Sequence, residues 1–213
     1  NNGSQFGEEK FILSFFNKSY KGKFVDIGCF HPTRHNNTYT MYKSGWNGIN
    51  IDLNPLTIDL FNFARSKDIN INAAISDNEE NKALYFVDEL NTQNTLEANH
   101  LSFLKNHHNL KEEEISKQTI KTRRLDKILD SHNFNDIDFM NIDVEGHELN
   151  ILNSIDFLKY NIKFICIEMI DHNDQAKIIN KKLNEILERN GYILEKKLDF
   201  NFIFKKNNYD KKN

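Results

Sequence analysis

Five short apolar runs, each closed by acids or polar residues, most constrain what this chain can fold into. "FVDI" (24–27) leads into Gly28 and Cys29, and "GINID" closes on Asp52 and Asn54. "ININAAIS" leads to Ile75, Ser76 and Asp77, "DFMNIDVEG" to Asp143, Glu145 and Gly146, and "FICIEM" to Glu168 and Asp171. Helical spacing separates them. In "EEKFILSFFNKS" (8–19) Phe11, Ile12, Phe15 and Phe16 share a face. "NNTYTMYKSGW" reads as a helix stopped at Gly45, and Pro55 opens another that runs to about Arg65. "ALYFV" adds a short strand, "TIKTRRLDKILDSH" reads as a strand and a helix, and "HELNILNSI" starts the next helix. "NDQAKIINKKLNEILERNG" carries Ile179, Leu183, Ile186 and Leu187 between an N-cap at Asn173 and a terminal Gly191. Strands that alternate with helices predict an α/β fold, a mostly parallel sheet covered on both faces. "YILEKKLDF" and "NFIFKK" follow each other directly and predict an antiparallel hairpin at one edge.

The 213 residues suit a single domain with its core over 8–204 and a frayed tail over 205–213. Patterning weakens over 89–118, between the third and fourth main strands, where an insertion can project over the strand tips and cover an acceptor. With 28 basic and 31 acidic residues, nothing points to a nucleic-acid or anionic-membrane partner. No apolar run is long enough for membrane insertion, and the polar start lacks the apolar centre of a signal peptide. Cys29 and Cys166, both in apolar strand contexts, fit a reducing compartment and hence a cytoplasmic protein.

In an open parallel sheet a ligand sits beyond the carboxyl ends of the strands, where the strand order reverses. Gly28 is the one glycine in its loop, and a missing Cβ lets the backbone come close to a ligand. Asp52 lies 24 residues further on, a spacing that suits an acid bonded to a ribose diol. A pyrophosphate wants a glycine-rich turn, but Phe30 and Pro32 crowd this one. A nucleoside without phosphates is the easier guest.

The blocks "FVDIGCFHPTRHNNTYTMYKSGWNGINIDLNP" and "FMNIDVEGHELNIL" resemble those of the FkbM-type methyltransferases, a branch of the class I S-adenosylmethionine-dependent enzymes. The resemblance spans about 8–204. It implies a Rossmann-like sheet of seven strands with a terminal hairpin, S-adenosylmethionine at the strand tips, and O-methylation of a sugar or secondary metabolite. By position it implies cofactor contacts from Asp26, Gly28, Cys29, Asp52, Leu53, Ser76, Asp77 and Asp143. The second and third loop glycines of the broader class are missing, which leaves the loop's shape open.

An aliphatic hydroxyl must lose its proton as it is methylated, so a base or a metal is needed. The rim offers His31, His35, Asp143, Glu145, His147 and His172. Asp143, Glu145 and His31 are the expected catalytic residues, although His31 could instead pin its own loop. Asp143 with Glu168 or Asp171 offers the oxygen donors that Mg²⁺ prefers. The expected acceptor is a small molecule or glycan precursor, of the capsule or lipopolysaccharide type. An N or phosphate-derivative acceptor, a nicotinamide-dependent dehydrogenase and a binding module without catalysis remain alternatives.

Overall fold

The computed structural model describes residues 2–86, 96, 111, 115–171 and 173–209. In chain order the elements are α1 (Glu8–Leu13), β1 (Lys23–Ile27), α2 (Tyr39–Lys43), β2 (Asn47–Asp52), α3 (Pro55–Ala64) and β3 (Ile69–Asn72). Next come β4 (Ala74–Ile75), β5 (Asn81–Phe86), β6 (Ser116–Arg123), α4 (Leu125–Ser131), β7 (Asp136–Ile142) and α5 (Glu148–Asn153). β8 (Asn161–Glu168), α6 (Asp174–Arg189), β9 (Tyr192–Leu198) and β10 (Asn201–Lys206) close the chain.

Seven strands form one sheet in the order β3-β2-β1-β7-β8-β10-β9. The first five are parallel, and β10 runs antiparallel to both neighbours. This is the mostly parallel sheet with a terminal hairpin that the strand pattern predicts. Strand order reverses between β1 and β7, which makes their carboxyl ends the place for a ligand.

The third strand departs from expectation. "ININAAIS" is split: Ile69–Asn72 pairs with β2, whereas Ala74–Ile75 joins a second sheet, β4-β6-β5. Asn72 marks the division, because its amide donates to the carbonyls of Asp52 (3.0 Å) and Leu53 (2.9 Å) just past the end of β2. The N-terminal helix also stops early, at Leu13 rather than 19, although Phe15 and Phe16 still pack on the core. α2 begins only at Tyr39, because Asn36, Asn37 and Thr38 use their side chains in hydrogen bonds further inside. Asn54 and Asn173 cap α3 and α6 as N-caps, with Pro55 in the first turn of α3.

Period-two alternation sends the strand side chains to two separate cores. Val25, Ile27, Ile49, Ile51, Met140, Ile142, Ile165 and Ile167 pack on one face. Phe24, Phe139, Phe164, Cys166 and Ile203 pack on the other with Ile12, Met41 and Trp46. Phe24, Phe139 and Phe164 are adjacent across β1, β7 and β8 and fully buried; each contributes about 1.5–3 kcal/mol by leaving water. The tail is ordered further than expected. Tyr209 packs on Phe164 at 5.4 Å and on Phe16 at 5.9 Å between ring centres, an apolar anchor that the charged flanks conceal.

Candidate functional site

The face that carries the phenylalanine row turns polar towards the strand tips. Two residues beyond Phe24 comes Asp26, two beyond Phe139 comes Asn141 and then Asp143, and four beyond Phe164 comes Glu168. Register sets Asp26 beside Asn141 and Glu168 beside Asn201 of β10. One sheet face thus changes from aromatic to amide and carboxylate over a single strand length. A cavity of about 510 Å³ opens there, lined by Asp52, Leu53 and Ala73–Ile75, by Gly28 and Asp143 at the switch point, and by the acids Glu145, Glu168 and Glu8. That volume lies within the range of about 300–1,000 Å³ found for small-molecule sites.

Gly28 sits at φ 76°, and a Cβ there would meet the carbonyl oxygen of Asp143 at 1.7 Å. The glycine is thus needed first for the close approach of the chain after β7. Behind it, Asp26 is fully buried and accepts from Asn36 Nδ2 (3.0 Å), Thr38 Oγ1 (2.8 Å) and Asn141 Nδ2 (3.0 Å). Burial raises its pKa, and these three bonds and the nearby Arg65 oppose the rise. Asp26 therefore forms the floor of the cavity with its oxygens already engaged.

Asp52 is differently placed. Its Oδ2 accepts from the Phe30 backbone N–H (3.0 Å) and its Oδ1 from that of Asn54 (2.8 Å). Each carboxylate oxygen keeps a further lone pair, so the group can still accept from a diol in the cavity it lines. Burial pushes its pKa up to about 6, against those two backbone bonds. Cys29 is buried and packs with Ile58 and Phe61, and burial pushes its thiol pKa well up.

The acidic end gathers groups from four elements. Asp143 follows β7, Glu168 ends β8, Glu8 begins α1, and Glu145 sits in the turn before α5 at φ 54°, a left-handed conformation rare for a residue with a side chain. Burial first, then the charges of Glu145, Glu148, Asp26 and Glu8, raise the Asp143 pKa well above the usual carboxylate range. Burial and the charges of Asp143, Glu145 and Glu148 do the same to Glu168. Glu148 braces the turn, its Oε1 accepting from the backbone N–H groups of Gly146 (3.1 Å) and Val144 (3.3 Å). Among the described residues no group of three or more His, Cys, Asp or Glu is arranged to hold a metal ion, so nothing there supports an Mg²⁺ site on Asp143 with Glu168 or Asp171.

His31 lines the cavity, but its Nδ1 accepts from the backbone N–H groups of Thr33 (3.1 Å) and Arg34 (3.2 Å). Burial first, then Arg34, Arg65 and His35, lower its pKa. The neutral ring with Nδ1 accepting carries its proton on Nε2, which makes it a donor. The loop-pinning role is thus realised. Ser76 and Asp77 lie outside the cavity lining: Ser76 Oγ meets Asp77 Oδ1 (3.0 Å), Lys82 Nζ (3.1 Å) and His147 Nε2 (3.1 Å), and Asp77 Oδ1 also accepts from Asn150 (3.1 Å). The split of the third strand turns them towards α5 and leaves Ala73–Ile75 as the cavity edge. Tyr39 and Tyr42, neither of which lines the cavity, stand by Arg65, with the guanidinium 5.9 and 5.4 Å from their ring centres. The expected acceptor cover over 89–118 falls almost wholly outside the described residues, and so does His172.

Sequence reasoning passed over Glu8, Asn36, Thr38, Arg65, Asn141 and Asn201. Asn141 carried a signal, because an amide in the middle of an otherwise apolar strand must be hydrogen-bonded. Glu8, Arg65 and Asn201 carried none, since a charged helix end or an amide beside a turn usually faces water.

An open, mostly parallel α/β sheet with a terminal hairpin and a polar cavity at its switch point is a Rossmann-like architecture. Residues 11–194 match the family model "Methyltransferase FkbM domain", and the chain belongs to that family of S-adenosylmethionine-dependent methyltransferases. This sets aside the nicotinamide-dependent alternative. A search of curated proteins finds no match. Among solved structures the chain is similar to a TehB-like SAM-dependent methyltransferase from Corynebacterium glutamicum, with 13% identity, TM-score 0.49, and 94% of this chain and 88% of that one covered. It is also similar to the fibrillarin pre-rRNA processing protein of Methanococcus jannaschii, with 15% identity, TM-score 0.45, and 91% and 70% covered. A third is a precorrin-6y C5,15-methyltransferase from Geobacter metallireducens, with 11% identity, TM-score 0.44, and 92% and 85% covered. Likenesses of this degree pass on no activity, and the family match carries the assignment. No helix among the described residues is long and apolar enough to cross a membrane.

Proposed function

We propose that the enzyme methylates a hydroxyl of a sugar or glycan precursor, with Asp143 as the general base. The observation that carries this reading is the lining of the acidic end, where Asn37, Asn141 and Asn201 accompany Asp143, Glu145 and Glu168. Amides and carboxylates offer the paired donors and acceptors that a polyol needs, whereas a phosphate-bearing acceptor would meet like charge at this end.

When bound, S-adenosylmethionine supplies an electrophilic methyl group. Asp52 would hold the ribose diol, Leu53 and Ala73–Ile75 would flank the base, and Gly28 and Asp143 would border the methionine portion. The protein's own part is to orient the acceptor and receive its proton. A carboxylate with a raised pKa is a better match to an alcohol's proton than an ordinary one, and Asp143 is raised by burial and by Glu145. In this reading Glu145 tunes Asp143 and helps hold the acceptor, and His31 contributes a donated hydrogen bond from Nε2. The expected setting is a cytoplasmic step in capsule or lipopolysaccharide synthesis.

The test is formation of S-adenosylhomocysteine with panels of neutral sugars, phosphorylated sugars and amines. Turnover confined to neutral sugar hydroxyls supports the reading. Turnover confined to amines or phosphate derivatives replaces it with the alternative acceptor.

A further inference from the structure

Arg65 is a whole cation buried at 1% exposure at the end of α3. Its three nitrogens donate to the Pro32 carbonyl (Nε, 2.8 Å), Thr38 Oγ1 (Nη1, 2.8 Å) and Asn36 Oδ1 (Nη2, 2.6 Å). The ring centres of Phe61, Tyr42 and Tyr39 lie 5.0, 5.4 and 5.9 Å from the guanidinium. Burying a cation is costly, and its bonds here go to a carbonyl, a hydroxyl and an amide oxygen rather than to a carboxylate. What they hold is the loop between β1 and α2, whose Phe30, His31, Arg34, His35, Asn36 and Asn37 line the cavity.

Two further features single out that loop. Phe30 and His35 both have left-handed backbones, at φ 53° and 49°. Such residues persist only where the surroundings fix them, and they cluster at ligand sites. The second feature is a relay from loop to floor: Asn36 donates to Asp26 and to the Cys29 carbonyl (both 3.0 Å), and Thr38 Oγ1 donates to Asp26 while it accepts from Arg65. Arg65, Thr38, Asn36 and Asp26 therefore tie α3, the loop and the tip of β1 into one unit.

We infer that Arg65 is a positioning residue for the cofactor: acting through Asn36 and Thr38, it fixes the loop after β1 in the shape that lines the cavity. The inference rests on the reading of the cavity as the S-adenosylmethionine site. It predicts an effect on cofactor affinity from Arg65 and Thr38, neither of which lines the cavity.

Two variants test it. Thr38→Val keeps shape and volume but cuts the relay, and Arg65→Lys keeps the charge but cannot make three directed bonds. Binding of S-adenosylhomocysteine is measured by calorimetry, beside the ligand-induced shift in melting temperature and steady-state kinetics. The expected result for folded Thr38→Val is an affinity loss of about tenfold, the weight of one hydrogen bond to a charged group. The KM for S-adenosylmethionine should rise with kcat little changed, and Arg65→Lys should lose at least as much. A purely structural role lowers the melting temperature of each variant and leaves affinity and the ligand-induced shift intact. Affinity within twofold of wild type in folded Thr38→Val overturns the inference, whether or not Arg65→Lys folds, while the cofactor reading stands. Wild-type protein that does not bind S-adenosylhomocysteine overturns both.

Discussion

The carbonyl oxygen of Asp143 occupies the space where Gly28 would carry a side chain, 1.7 Å from an ideal Cβ. The first and fourth main strand ends are thereby pressed together at the switch point, on the path from Asp52 to the acidic end. Gly28→Ala must move one of the two backbones and also strain a residue at φ 76°. It should cost at least about 2 kcal/mol, and urea denaturation should show the midpoint falling. Wild-type stability in this variant would contradict the contact.

Asp52→Ala should weaken S-adenosylhomocysteine binding by about 10–100-fold, the loss of hydrogen bonds to a charged acceptor. Calorimetry at pH 7.5 gives the value directly.

The same residue sets a pH dependence. Its pKa in the free protein is about 6, so below that value it holds a proton that must leave before both oxygens can accept from a diol. Affinity should fall as the pH is lowered, by about tenfold between pH 7.5 and 5, and Asp52→Asn should remove that part of the slope. For folding the sign is opposite in sense. The native state binds this proton more tightly than the unfolded chain, so the contribution of Asp52 to stability declines as pH rises from about 4 to 6.

Asp143→Asn should reduce kcat by about 10²–10⁴-fold, the usual weight of a general base. The acidic limb of the pH–rate profile should belong to Asp143, with activity rising as its proton leaves. Glu145→Gln removes the largest charge that raises this pKa, so the limb should move to lower pH. An unmoved limb would assign the base elsewhere.

Asp77 supports Asn150 and Ser76 and stands outside the cavity. Asp77→Ala should therefore leave S-adenosylhomocysteine affinity within about twofold of wild type, since substitutions away from the site have small effects. A larger loss would restore Asp77 to the cofactor contacts.

Apolar periodicity is local, and it determined the main strands and the hairpin, because burial of alternate side chains leaves few other arrangements. "FVDI" and "DFMNID" could be read as strand ends holding acids, and Asp52 as the acid beside the loop. Other facts depended on which residues meet across long separations in the chain. The split after Asn72 is decided by a side chain that reaches back to Asp52 and Leu53. Arg65 looks like any charged helix end until α3 packs against the loop, and Glu8 looks solvated until Asn201, from the last strand, donates to it at 2.6 Å. A sequence records which side chains want burial or a partner. Only the packed sheet decides which partner each one finds, since a hydrogen bond needs both atoms within about 3 Å.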